Sequence, residues 1–129
     1  MHSHYVKAEV PNTLEELNTL FLCIQKNVEE NAFYYWHYTQ LAQISDKIRK
    51  IQNTVINDSY SIFTETFKIL NRDNYLKNEE YPGQYIQTIK VIMLTCVYWK
   101  PYSKLVKSSE LEENYLDCIW CIIYPVINR

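Results

Sequence analysis

The chain has 129 residues, 47% of them apolar and 22% charged, with a formal net charge of −2. This balance excludes a disordered chain and suffices for one domain with its own core, without disulfide or metal staples. The slightly acidic total lacks the dominant basic face that a phosphate backbone requires. A single glycine, Gly83, argues against many-turned β folds, dinucleotide-binding folds and phosphate-cradling loops.

Residues 1–10 are polar and lack the apolar segment of a secretory signal, so residues 1–11 are predicted to be a loosely packed N-terminus. Thr13-Leu14-Glu15-Glu16 then forms a capping box, in which Glu16 reaches back toward the residue that caps the helix. Leu14, Leu17, Phe21, Ile24 and Val28 follow in steps of 3, 4, 3 and 4, one helical stripe that Leu20 and Leu22 widen.

A second helix is predicted from Ala32 to Ile56. Its core stripe would be Leu41, Ile44, Ile48, Ile51 and Val55. Asn57-Asp58 should break it and cap a third helix carrying Tyr60, Phe63, Phe67 and Leu70. Residues 71–83 read as the longest connection, ending in the turn Tyr81-Pro82-Gly83. The fourth helix, from Gln84 to Trp99, is apolar nearly all round, which implies that the others enclose it. Lys100-Pro101 should end it. A last helix is predicted to begin at Ser109-Glu110-Leu111-Glu112, a second capping box. It carries Leu111, Tyr115, Leu116, Ile119, Ile122 and Ile123 and stops by Pro125. The predicted fold is therefore all-α, a compact bundle of about five helices forming one domain over residues 1–129.

No stretch is long and apolar enough to span a bilayer, since Val91 to Trp99 is the longest. Together with four cysteines and no export signal, this predicts reduced thiols and an intracellular chain, in cytoplasm or nucleus. Cys118-Ile119-Trp120-Cys121 has the spacing of a redox dithiol or half a zinc site. It falls late in an apolar helix, where nothing favours a thiolate, and Cys23 and Cys96 stand apart in apolar stripes. All four read as core thiols. His2, His4 and His37 have no ligand or nucleophile at a useful spacing. Nucleophile elbows and metal-binding helix motifs are also lacking. The expectation is no catalytic residue, no metal and no cofactor.

The distinctive feature is Phe33-Tyr34-Tyr35-Trp36-His37-Tyr38. At 100° per residue, six successive helical positions cover the whole circumference, so these rings cannot all face one core. Tyr and Trp dominate interface hot spots, which makes Phe33, Tyr34, Tyr35, Trp36 and Tyr38 candidate partner-binding residues. Tyr98, Trp99 and Tyr102, with Tyr81 and Tyr85 as outlying members, form a second cluster. The two merge if their helices are neighbours.

The leading expectation is thus a non-catalytic protein–protein interaction module, an adaptor, regulatory subunit or inhibitor. Its partner would be a helix or peptide of another protein, or a second copy in a homodimer. The alternative is a helical subunit of a nucleic-acid-associated or transcription-regulatory complex, using Lys47, Arg49, Lys50 and the Lys100–Lys107 segment. A metal or redox site at Cys118 and Cys121 ranks last. The abundant Asn, Ile, Lys and Tyr fit an AT-rich genome, so a host-interaction role is a variant of the leading expectation.

Overall fold

Thr13 caps the first helix as expected, but Glu16 reaches back to Asn12 and not to Thr13. Thr13 Oγ1 accepts from the Glu16 amide at 3.1 Å, while the Glu16 carboxylate accepts from the Asn12 amide at 2.8 Å. In the computed structural model, which describes residues 10–106 and 115–129, this opens α1, Leu14–Glu30. Five further helices follow: α2 (Ala32–Trp36), α3 (Tyr38–Ile44), α4 (Asp46–Arg72), α5 (Gln84–Leu105) and α6 (Tyr115–Ile123). A 3₁₀ turn over Tyr124–Val126 succeeds α6 at Pro125. The described residues contain no strand and six α-helices, so the expectation of an all-α bundle of about five helices holds. None of these helices is long and apolar enough to cross a membrane. The predicted capping box at Ser109, and Leu111 with it, lies outside the described residues, as do His2 and His4.

The core sits where α1, the second half of α4, α5 and α6 meet. Leu17 and Phe21 enter it from α1, Phe63, Phe67 and Leu70 from α4, Ile89 and Ile92 from α5, and Ile119 and Ile123 from α6. Phe21 stacks on Phe63 at 5.9 Å and meets the Trp120 edge at 5.8 Å. The α1 stripe is oriented as expected, except that Leu22 faces solvent.

The region from 32 to 56 departs most from expectation. One helix was predicted there, but the chain breaks at His37 and again at Ser45, whose extended backbone lets its hydroxyl accept from the Ile48 amide at 3.2 Å. Ser45 is a good N-cap with Asp46 in the first turn behind it, which is why α4 starts there. The predicted break at Asn57-Asp58 does not occur, because Asn57 bonds the side chain of Asn53 at 2.8 Å and leaves the helical amides alone. α4 therefore runs for 27 residues. The expected core stripe does not enter the core either: Ile44 and Val55 face solvent and Ile51 is 51% exposed. The buried residue on that part of α4 is Gln52, which donates to the Tyr38 carbonyl at 3.0 Å and so fastens α3 to α4.

The connection after α4 is held from the far end of the chain. Lys77 donates its amide to the Val126 carbonyl at 2.8 Å, and Asn128 donates to the Tyr75 carbonyl at 2.9 Å. These bonds flank an isolated antiparallel bridge between Leu76 and Ile127. Gly83 takes the left-handed φ of 89° that its turn requires, and Glu79 accepts from the Tyr85 amide at 2.7 Å to cap α5. Pro101 does not end α5, which continues to Leu105. Only the one backbone bond that a proline amide would have donated is forgone, and the Ser103 hydroxyl binds the Lys100 carbonyl at 2.9 Å within that last turn.

These placements set opposite expectations for two apolar residues of α4. Phe67→Ala is expected to cost about 3–5 kcal/mol of unfolding free energy, and Ile51→Ser less than about 0.5 kcal/mol. Urea denaturation followed by circular dichroism measures both. Equal costs would mean that the first half of α4 is covered after all.

Candidate protein-interaction surface

α5 was expected to be enclosed, and it is not. Its apolar circumference divides into a buried side, with Ile89, Ile92, Met93 and Cys96, and an outward side. The outward side carries Val91, Leu94, Tyr98, Tyr102 and Leu105, in steps of 3, 4, 4 and 3, all facing solvent. Leu94 is 58% exposed. This is a continuous helical stripe, about 21 Å long at 1.5 Å per residue.

Beside the stripe, α4 and α5 leave a groove of about 360 Å³. Ile56 and Tyr60 form its α4 wall, Met93, Leu94 and Val97 its α5 wall, and Tyr38 and Tyr98 lie at one part of it; Lys90 is its single charged residue. None of the residues 56, 60, 90, 93, 94 and 97 was among the sequence candidates. The signal was present in α5, whose apolar residues go all round the helix and exceed what its buried side takes up.

The two predicted aromatic clusters do merge. α2 packs against α5, and the Tyr38 and Tyr98 rings meet edge to face at 6.5 Å. Tyr34 and Tyr35 lie 5.5 and 5.9 Å from Tyr38, the latter nearly parallel to it. Asn27 donates to the Tyr35 hydroxyl at 3.1 Å, and Lys100 pairs with Glu29 at 2.6 Å, so both ends of the cluster are fastened to α1. On α5, Trp99 touches Tyr102 at 5.4 Å and Tyr115 of α6 at 5.9 Å.

Within this cluster the candidate residues divide by exposure. Phe33 is 73% exposed, with its ring tilted against that of His37 at 4.5 Å, and Tyr98 and Tyr102 are also exposed. Tyr34, Tyr35, Trp36 and Trp99 are half-buried. Tyr38 is 8% exposed and supports the surface from beneath. Tyr85 does not belong to the cluster, since it packs on Phe67 and gives its hydroxyl proton to the Lys77 carbonyl.

The thiols follow the predicted core role only in part. Cys96 is buried and Cys118 half-buried, but Cys23 and Cys121 face solvent, each two positions from the buried face of its helix. Cys96 Sγ lies 3.1 Å from the Tyr115 hydroxyl. Burial pushes the Cys96 thiol up to about 11 and raises Tyr115 as well, an effect the neighbouring thiol reinforces. The pair is therefore neutral at ordinary pH and acts as packing. Among the described residues no three His, Cys, Asp or Glu gather as a metal site would require. In the two basic stretches Arg49 and Lys50 share the single carboxylate of Asp46 and Lys100 pairs with Glu29, whereas Lys47 and Lys104 have no ion-pair partner among the described residues.

No protein-family model, curated protein or solved structure matches the chain.

The Cys96 environment has a pH signature. In the unfolded chain this thiol ionises near its ordinary value of 9.0, and in the fold only near 11. Ionisation then favours the unfolded state, so the contribution to stability is full below pH 9 and is lost as pH rises toward 11. The urea midpoint is expected to fall more steeply over that interval in the parent than in Cys96→Ala. Parallel pH profiles would contradict the assignment.

Proposed function

We propose that this chain is a non-catalytic protein-interaction module, which receives a helix or peptide of another protein along α5 and in the groove beside it. The observation that carries the reading is the exposed apolar stripe of α5, which adjoins a groove lined almost wholly by apolar and aromatic side chains. Soluble domains rarely leave large contiguous apolar surface uncovered, and a groove flanked by such a surface is a common receptor for an amphipathic helix. Tyr98 and Tyr102, with Phe33 beyond them, add exposed rings with few rotatable bonds, which bind at low entropic cost. Covering the part of Leu94 that is exposed would contribute about 1–2 kcal/mol to such a complex. An adaptor, a regulatory subunit and an inhibitor all operate in this way. The free thiols fit action inside the cell, in cytoplasm or nucleus.

Selection of a helical-peptide display library against the purified chain tests the reading. Enriched peptides are expected to lose binding to Leu94→Glu and to retain it with Lys68→Glu, both at exposed positions and both expected to keep the parent's helical circular dichroism. No enrichment, or peptides that bind the two variants equally well, would count against this surface.

A further inference from the structure

We propose that the α4–α5 groove selects an acidic amphipathic helix. The inference rests on the interaction-module reading and adds to it the charge and shape of the partner.

Charge is the first argument. α5 carries Lys90, Lys100 and Lys104 and no carboxylate at all. Lys100 is engaged by Glu29, and its side chain is only 13% exposed. Lys90 and Lys104 have no ion-pair partner among the described residues. They lie fourteen positions apart, nearly four helical turns, so they project from almost the same side of α5. Lys90 lines the groove itself, among Ile56, Met93, Leu94 and Val97. A ligand that fills this groove must be apolar along its middle and negative along one edge.

Shape is the second argument. The groove lies between two packed helices and is partly open to solvent. At about 360 Å³ it has room for a few side chains projecting from a rod. The described residues offer no sheet edge on which an extended peptide could add a strand. A helix with apolar residues at i, i+3, i+4 and i+7, flanked by Glu or Asp, meets both requirements.

The same charges argue against a second copy as occupant. In an antiparallel two-fold pairing of α5 on α5, Lys90 of one copy comes beside Lys104 of the other. In a parallel pairing, each lysine meets itself. Like charges oppose both arrangements.

The test uses the full chain and a synthetic helical peptide of about 18 residues, with leucines at those positions and flanking glutamates. A twin peptide carries glutamine at every glutamate, and binding is read by fluorescence anisotropy. The acidic peptide is expected to bind about tenfold more tightly than its twin at low salt, on the scale of two rim ion pairs. That advantage should shrink at high salt. Lys90→Gln combined with Lys104→Gln, both at exposed positions, should erase the difference, and Leu94→Glu should abolish binding of both peptides. Equal binding of the two peptides would overturn the charge inference and leave the interaction-module reading standing. Binding of neither peptide, together with failed library enrichment, would overturn both. Lysine-dependent co-sedimentation with phosphatidylglycerol vesicles, without peptide binding, would overturn the proposal in favour of an anionic membrane surface.

Discussion

The architecture depends on a mismatch of lengths. α4 spans 27 residues, about 40 Å, and α5 spans 22, about 33 Å. The first helix that covers them is shorter: α1 has 17 residues. A core built where all four meet cannot reach both ends of the long pair. The chain resolves part of this by folding α2 and α3 back across the gap, against α5 and α4 respectively. The remainder of the apolar surface on α5 stays outside.

The covering by α2 and α3 is polar where the main core is apolar. Gln52 is buried and donates to the Tyr38 carbonyl, a backbone group beside the break at His37. A buried polar group of this kind stabilises only while both partners are present, and leaves a costly orphan when one is removed. It also ties α3 to one position along α4. Tyr38, held in this way, is the ring on which Tyr34, Tyr35 and Tyr98 converge. The polar clamp therefore sets where the aromatic surface forms, although it is no part of that surface.

Much of this was legible in the residues, and the failures have a common cause. Thr13 and Glu16 declared their cap because capping is a local interaction that needs nothing beyond four residues. The stripes Leu17-Phe21 and Phe63-Phe67-Leu70 were read correctly because both face the region where four helices meet. The stripe ending in Ile51 and Val55 has equally good spacing and faces water. Periodicity reports that a helix has an apolar side; whether a neighbour exists to cover it is a long-range fact. The same limit explains α5, whose apolar circumference suggested enclosure, while the described helices leave its Val91, Leu94, Tyr98, Tyr102 and Leu105 side exposed. The break at Ser45 was a missed local signal, because a serine followed by an aspartate is an ordinary helix start. The union of the two aromatic clusters was left open, and the packing of α2 on α5 decides it.

The exposed stripe and the stability of the domain are separable, because different residues carry them. Phe21, Phe67, Ile92 and Ile119 are fully enclosed and hold the helices together. Leu94 adds less to folding, since more than half of it remains hydrated in the free chain. Apolar surface of that kind is a solubility burden, and one that polar residues could relieve at almost no cost to the core. Tyr98 stands at the junction, touching Tyr38 on one side and solvent on the other. The side of α5 that is apolar without serving the core is also the side where Lys90 and Lys104 have no ion-pair partner among the described residues, and a partner surface that is apolar and acidic together answers both features.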